Sequence, residues 1–509
     1  MSRNYLERIL RARVYDVARE TPLDFIPRLS ARLNANIWLK REDMQSVFSF
    51  KLRGAYNKIY NLSDKQKRQG VITASAGNHA QGVALAGKRL GVPSLIIMPT
   101  TTPPIKVQTV RNLGASIILH GDSYDQAYEH ARSLEKKKSL VFVHPFDDPD
   151  VIAGQGTVAM EVLRQHEDPI EAVFIPVGGG GLISGMAAYI KRVRPEIRVI
   201  GVEPEDTPTL QRALKAGRRV TLKQIGLFAD GVAVRQAGKE TFKLARQYVD
   251  EVVLVTTDEI CAAIKDIYDD TRSVAEPAGA LGIAGIKKYL QQSKGNCGNL
   301  VAILSGANIN FDRLRHVSER AELGEQREAL FAVEIPERPG SFLNFCKILG
   351  KRNITEFNYR YHDDKRAHVF CGLELSGDGK ERHSIIERLQ RRKFGVTDLT
   401  DNETAKLHIR YMVGGHAPQV RNERLFRFVF PERPGALLDF LAGLSRGWNI
   451  SLFHYRNHGA AYGRVLVGVQ IQGAEVNEFR AYLKDQGYRY HEETDNPAYQ
   501  LFAGPGKQH

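Results

Sequence analysis

The strongest constraint on this chain is a repeat in its last third. The stretch from Phe331 to Leu343, which contains Pro336-Glu337-Arg338-Pro339-Gly340, lines up with Phe426 to Leu438, which contains Pro431-Glu432-Arg433-Pro434-Gly435, at an offset of 95. Farther on, Asn353-Ile354 matches Asn449-Ile450 and Tyr359-Arg360 matches Tyr455-Arg456, at an offset of 96. Self-similarity over such a span, with one inserted residue, means that a single supersecondary unit is built twice. Each copy reads strand, Pro-Glu-Arg-Pro-Gly turn, helix, strand, strand, helix, strand, which is the βαββαβ pattern of a ferredoxin-like α+β unit. The two units are expected over residues 329–401 and 424–495, joined by a stretch of linker composition around Gly414-Gly415-His416-Ala417-Pro418.

The first 328 residues have another rhythm. Short β-branched runs at Gly70–Ala74, Ser94–Met98, Ser116–Leu119 and Leu140–His144 alternate with helical stretches at Gln81–Leu90, Ile105–Leu113 and Tyr124–Lys137. After a helix at Val151–His166 the alternation resumes, with strands at Ala172–Val177, Arg198–Val202 and Leu300–Leu304 and a helix at Leu182–Arg192. Strands separated by helices of this length pair in parallel through βαβ crossovers. The spacing therefore predicts an open α/β protein in two lobes over residues 1–328, the smaller lobe covering 45–147.

Composition narrows the function classes. No apolar run is long enough to span a membrane, and the amino-terminal stretch carries charges throughout, so a cytoplasmic protein is expected. The net charge of +14 is dispersed among acids, in runs no longer than Lys136-Lys137-Lys138. That pattern suits anionic metabolites rather than nucleic acid. Cys261, Cys297, Cys346 and Cys371 are widely spaced, which points to neither a disulfide framework nor a zinc site.

Chemistry gathers where α/β sheets place ligands, at the carboxyl ends of strands. Ser49-Phe50-Lys51-Leu52-Arg53-Gly54-Ala55 sets a lysine at a helix start. A lysine is nucleophilic only as a free amine, so it needs burial or a carbonyl partner; alone, Lys51 reads as well as a solvated surface charge. Ser75-Ala76-Gly77-Asn78-His79 lies between a strand and a helix, where small residues leave backbone N–H groups open to an anion, although an ordinary βα turn reads the same. Gly178-Gly179-Gly180-Gly181 permits unusual dihedrals and lets N–H groups converge on a phosphate. The dinucleotide fingerprint fails there: Gly179 and Gly181 fit its first two positions but Ser184 takes the third, even though Glu203 stands where a ribose-binding acid would. Ser305-Gly306-Ala307-Asn308 ends the last strand with a hydroxyl, and Ala275 to Ala280 reads as a turn whose Glu276 is equally structural or catalytic. One ligand with an aldehyde, a phosphate and a ring nitrogen uses all of these groups, and that ligand is pyridoxal phosphate.

In order and spacing, SFKLRGA, SAGNHAQG, the tetraglycine and LSGAN resemble the fold-type II pyridoxal phosphate enzymes, which share the tryptophan synthase β fold. The doubled unit, read as two ACT-like domains, narrows the resemblance to the biosynthetic threonine dehydratases, over nearly the whole chain. This resemblance implies that Lys51 carries the cofactor as a Schiff base and then serves as the α-proton base. It further implies cofactor contacts from Phe50, from Asn78 at the ring hydroxyl, and from Gly178, Gly179, Gly180, Gly181 and Leu182 at the phosphate. Gly231 would approach the ring and Ser305 the pyridine nitrogen, with Ser75, Gly77 and His79 lining the substrate carboxylate pocket.

A serine at the ring nitrogen supports a protonated pyridine less than a carboxylate does, which favours elimination over transamination. Ala76 stands where related serine racemases carry serine, so racemisation is not expected. The implied reaction is conversion of L-threonine to 2-oxobutanoate and ammonia, the first step of isoleucine biosynthesis, inhibited by isoleucine and activated by valine in a homotetramer. Tyr359 and Tyr455, at equivalent strand positions, read either as effector contacts or as half-buried sheet residues. The rivals are a catabolic serine/threonine dehydratase or a β-replacement enzyme on the same fold, and a non-catalytic amino-acid sensor. A cation near Glu203 stays open.

Overall fold

A computed structural model describes residues 4–292, 298–311, 313–325, 327–350, 352–361, 366–376, 380–402, 405–406, 410, 417, 420–431, 438, 440–442, 448–456, 462–485, 489–496, 499 and 503. The chain divides into two compact units, Met1–Gly324 and Glu325–His509.

Among the described residues the first unit holds ten strands: β1 (Leu23–Phe25), β2 (Asn36–Arg41), β3 (Val71–Ala74), β4 (Ser94–Met98), β5 (Ser116–Leu119), β6 (Val141–Phe142), β7 (Ile170–Pro176), β8 (Arg198–Pro204), β9 (Glu251–Val255) and β10 (Asn299–Leu304). They form two sheets, one of four strands in the order β5-β4-β3-β6 and one of six in the order β1-β2-β10-β7-β8-β9. Every pairing is parallel except that of β1 with β2. The two-lobed α/β architecture is thus the one expected. The central strands carry long apolar runs because helices cover both faces: Ala172 to Ile175 and Leu300 to Leu304 have no exposed surface.

Strand order decides where a ligand fits. From β3 the chain steps outward to β4 and β5, and β6 then returns to the other flank of β3; β7, β8 and β9 step outward likewise and β10 returns beside β7. Each return leaves a crevice at the carboxyl ends of the two strands beside it. The loops after β3, β6, β7 and β10 therefore open at the two switch points, and three of them carry sequence clusters singled out above.

Some elements escaped the sequence. β1, β2 and β9 were not expected, and the helix predicted from Gln81 begins at Asn78, one turn earlier, with Gly77 as its N-cap. Ala275 to Ala280 is not a free turn, because Pro277 opens the helix Pro277–Gln292. Proline fits the first helical position, where its missing N–H leaves no bond unmade.

The described residues of the second unit form an eight-stranded antiparallel sheet made of both repeats, with helices packed on it. The first contributes β11 (Glu328–Pro336), β12 (Ile354–Arg360), β13 (Arg366–Glu374) and β14 (Gly395–Asp398), with helices Ser341–Leu349 and Lys380–Arg391 in the expected βαββαβ order. The second contributes β15 (Glu423–Pro431), β16 (Asn449–Arg456), β17 (Tyr462–Gln470) and β18 (Arg489–Glu492), with the helix Val476–Asp485. The order β14-β11-β13-β12-β16-β17-β15-β18 sets the copies back to back, joined where Glu356 to Arg360 pair with Arg456 to Leu452. Phe331, Phe345, Phe357, Phe426, Phe453 and Phe479 share one core across that join. The second turn, from Glu432 to Leu437, and Gly414, Gly415, His416 and Pro418 of the linker lie outside the described residues. So does Cys297, while Cys261, Cys346 and Cys371 are buried free thiols. Among the described residues no helix is long and apolar enough to cross a membrane.

Candidate active site

The lysine stretch is zipped onto the loop after β10. The Phe50 N–H donates to the Ser305 carbonyl at 3.2 Å and the Ala307 N–H to the Phe48 carbonyl at 2.9 Å, with a β-bridge between Ser49 and Gly306. Lys51 then opens the helix Lys51–Tyr60. Two features seat that helix. Gly54 abuts the helix Pro149–Gln165 so closely that a Cβ would lie 2.4 Å from Gln155 Nε2. Arg53 points into a buried four-charge cluster: it binds Glu42 at 2.8 Å and Glu161 at 2.6 Å, and Lys40 binds Glu161 at 2.7 Å. None of the four side chains has exposed surface.

Lys51 Nζ donates to the Pro145 carbonyl at 3.2 Å. Burial pushes the ammonium down to about 8, against the opposing pull of Glu276. A usable fraction of free amine therefore exists near neutral pH, as a nucleophile or base requires.

Across the crevice the tetraglycine links β7 to the helix Gly181–Val193, with Gly180 at a φ of 93°. Here glycine is a packing requirement. A Cβ at Gly179 would lie 2.3 Å from the Phe146 ring, one at Gly178 would lie 3.0 Å from Val232 Cα, and one at Gly181 would lie 3.0 Å from Phe146 Cα. The Gly179 carbonyl accepts from Thr241 Oγ1 at 2.7 Å. The loop thus keeps its shape with N–H groups and a helix start left for an anion. Leu182 anchors the first turn in the core. Gly231 belongs to the turn that meets this loop, and its Cβ would lie 2.9 Å from that of Ala278.

The Ser75–His79 loop closes the site. Asn78 Nδ2 donates to Glu276 Oε1 at 2.6 Å, and Asn308 Nδ2 donates to Asn78 Oδ1 at 2.7 Å. Ser75 Oγ accepts from the Gly77 N–H at 3.3 Å, and a Cβ at Gly77 would meet nothing within 4 Å, which leaves room for a ligand. His79 is buried, with Nε2 at 3.0 Å from the Val143 carbonyl. A carbonyl only accepts, so Nε2 carries the proton and Nδ1 presents a lone pair. Burial, reinforced by the Lys51 charge, lowers the imidazole to about 3. His79 is therefore neutral and offers a ligand an acceptor.

The donor set fits pyridoxal phosphate. Buried Ser49 Oγ and His79 Nδ1 have no partner among the described residues, and buried Ser305 Oγ has only the Ala278 carbonyl, at 3.5 Å. Such groups are normally satisfied in a finished structure. Beside them stand an amine held for a carbonyl, a glycine cradle for a phosphate and the Asn78 amide. Pro145, Phe146 and Thr241 escaped the sequence reading as site-shaping residues, while Asn308 was read as part of the cluster after the last strand but given no role of its own. For Pro145-Phe146 the available signal was that they directly follow a predicted strand end.

Glu203 is not brought to this crevice chemistry. Its carboxylate accepts from the Leu210 N–H at 2.7 Å and the Gln211 N–H at 2.9 Å, at the start of the helix Thr209–Ala216. Among the described residues no cluster of three His, Cys, Asp or Glu is placed to hold a metal.

In the second unit Tyr359 and Tyr455 are core residues, 2% and 3% exposed. The Tyr359 hydroxyl donates to Glu337 in the first Pro-Glu-Arg-Pro-Gly turn, and Glu337 Oε1 accepts from Asn449 Nδ2 of the second repeat at 3.1 Å. Beside this link, Arg338, Phe342, Leu343, Leu441, Trp448 and Ile450 line a small, half-open pocket between the repeats.

Comparison with known proteins agrees with this layout. Residues 14–306 match the family model of pyridoxal-phosphate dependent enzymes, and residues 319–409 and 414–503 match that of the C-terminal regulatory domain of threonine dehydratase. The chain is 56% identical to the L-threonine dehydratase biosynthetic IlvA of Burkholderia multivorans, over 98% of this chain and 99% of that protein. It is 53% identical to the protein of the same name from Escherichia coli, over 98% and 96%. Among solved structures, the processed form of threonine deaminase isoform 2 from Solanum lycopersicum superposes with a TM-score of 0.61 at 52% identity, covering 62% of this chain and 92% of that one. Maize serine racemase superposes with a TM-score of 0.58 at 32% identity, covering 62% and 96%.

Proposed function

The chain belongs to the pyridoxal-phosphate dependent enzymes and, within them, to the biosynthetic threonine dehydratases, and on that premise we propose that it converts L-threonine to 2-oxobutanoate and ammonia. The observation that carries this reading is the Lys51 amine, bonded to the Pro145 carbonyl after β6 and lowered to about 8 by burial. Bound pyridoxal phosphate would supply an electron sink for the charge left at the α-carbon.

This chain's own residues do the rest. Lys51 would hold the cofactor through Nζ, and its free amine would take the α-proton of the substrate, a contribution of about 10²–10⁴-fold for a well-placed base. Gly178 to Leu182 would hold the phosphate at a helix start, and Ser305 Oγ would offer the ring nitrogen a neutral partner. Asn78 would offer an amide N–H to the ring hydroxyl, with Phe50 and Gly231 beside the ring. Ser75 and Gly77 would line the pocket for the substrate carboxylate, where the missing Gly77 side chain leaves room, backed by neutral His79. The β-hydroxyl leaves as water, the proton it takes up balanced by the α-proton taken by Lys51, and hydrolysis of the resulting enamine gives 2-oxobutanoate and ammonia; Ala76 offers no group to return a proton to the opposite face.

For the second unit we propose amino-acid sensing, with isoleucine as inhibitor and valine as activator. The pocket supports it: an arginine for a carboxylate, apolar walls for a branched side chain, and Tyr359 linked through Glu337 to Asn449 in the wall. Tyr455 occupies the equivalent place in the second repeat. Coupling of about 1–3 kcal/mol between the units would account for such control. A cytoplasmic homotetramer completes the proposal, checked by sedimentation equilibrium.

The deciding experiment follows ammonia and 2-oxobutanoate from L-threonine, with and without isoleucine and valine, after borohydride reduction of a parallel sample. Turnover together with a reduced label on Lys51 is expected. Faster turnover of L-serine, or addition of a thiol in place of ammonia release, would favour the rival enzymes. No label and no turnover would leave a sensor.

A further inference from the structure

Asn78 has its amide plane settled by a chain of hydrogen bonds that begins at a backbone carbonyl. Asn308 Nδ2 donates to the Val47 carbonyl at 2.9 Å. That carbonyl can only accept, so the atom facing it is nitrogen. The same nitrogen donates to Asn78 at 2.7 Å, so the Asn78 atom there is oxygen, and its other atom, nitrogen, faces Glu276 at 2.6 Å. One Nδ2 proton is committed to Glu276, which leaves the second for a ligand.

Glu276 is 5% exposed and precedes the helix Pro277–Gln292, whose Ala280 N–H donates to its carbonyl at 3.1 Å. Its own N–H donates to the Gly306 carbonyl at 3.2 Å. A Cβ at Gly306 would lie 2.6 Å from Glu276 Oε1, so the glycine of the loop after β10 makes room for this carboxyl. The charged groups that act on Glu276 are Asp230, Lys106 and Lys51; Asp230 is itself paired with Lys106 at 3.0 Å and Arg313 at 3.5 Å. Burial, then the like charge of Asp230, raise the carboxyl to about 7, against the pull of Asn78, Lys106 and the Asn308 N–H. In turn, Glu276 is the charge that raises the Lys51 ammonium against its burial.

We propose that Glu276 is a positioning residue for the reaction, holding the Asn78 amide in one plane and setting the field at the Lys51 amine. The proposal rests on reading Lys51 as the cofactor lysine, which borohydride labelling of the unsubstituted protein tests separately. Glu276 acts through its neighbours and touches no reacting atom.

Glu276→Gln separates the two roles, because a glutamine oxygen still accepts from Asn78 but carries no charge. The readouts on the holoenzyme are the pH titration of the visible absorption of bound pyridoxal phosphate and the pH profile of kcat/KM. Loss of a nearby negative charge should shift the absorption step to lower pH by about one unit and remove the inflection near neutrality from the profile. Glu276→Asp, which restores the charge, should restore the inflection. Titrations and profiles that superpose on those of the parent would overturn the proposal. If Glu276→Gln does not retain cofactor, Asp230→Asn decides: with the like charge gone, the inflection moves to lower pH, and an unmoved inflection overturns the proposal equally.

Discussion

Lys51 Nζ donates to the Pro145 carbonyl at 3.2 Å, and the next residue, Phe146, fills the space that side chains at Gly179 and Gly181 would need. One dipeptide after β6 thus ties the amine of one lobe to the anion loop of the other. In Gly179→Ala the new methyl, 2.3 Å from the Phe146 ring, must move either the glycine loop or the dipeptide. Overpacking of this kind costs about 1–3 kcal/mol, so affinity for pyridoxal phosphate should fall about tenfold or more, measured by visible absorption on titrating the cofactor.

Lys51→Ala should abolish turnover of L-threonine. Isoleucine should still bind, measured by calorimetry, since the pocket between the repeats contains no residue of the first unit. Turnover that survived would refute the assignment of Lys51.

The Arg53 cluster should show itself in stability. Arg53→Met leaves Glu42 and Glu161 buried with Lys40 as their one remaining cation in the cluster. Breaking a buried ion pair from one side destabilises by about 3–5 kcal/mol, which urea unfolding of the variant would reveal. Unfolding curves that coincide with the parent's would show that the cluster adds nothing.

Acid stability has a worked sign. Burial lowers His79 to about 3 and His144 to about 4, so between roughly pH 4.5 and 6.5 the unfolded chain binds protons that the folded chain refuses. Their contribution is lost as pH falls. Burial raises Glu203 and Glu276 to about 7, so over the same window these two bind protons when folded, and their contribution is lost as pH rises. The two pairs oppose each other. In Glu203→Gln one opposing group is gone, and stability relative to the parent should tilt by about 1.4 kcal/mol per pH unit, falling toward acid. Parallel curves for parent and variant would contradict the raised Glu203.

Tyr359→Phe removes only the hydroxyl that holds Glu337. Glu337 also binds Asn449 across the repeat join, so the isoleucine concentration for half-inhibition should rise several-fold, read from dose–response curves. An unchanged curve would make Tyr359 a packing residue alone.

Much of this was legible along the chain because local rules governed it. Ser94–Met98 and Ser116–Leu119 are strands as read, since a short β-branched run between turns has few other outcomes. Asn36–Arg41 was missed: Lys40 and Arg41 look like exposed polar residues, yet they lie buried in ion pairs with Glu161, Asp24 and Asp43 that are distant or invisible in a periodicity.

The same division holds at the site. By itself the sequence determined the repeat, the alternation of strand and helix, and the glycine, lysine and serine clusters at strand ends, because each depends on neighbours within a few residues. Only the tertiary structure decided which clusters meet. Strand order brings the loops after β3, β6, β7 and β10 to two switch points, recruits Phe146 to shape the tetraglycine, and turns Glu276 from a turn residue into a partner of Asn78. Those are contacts between residues tens to hundreds of positions apart, and desolvation by the assembled lobes, rather than any local pattern, brings the Lys51 amine near neutrality.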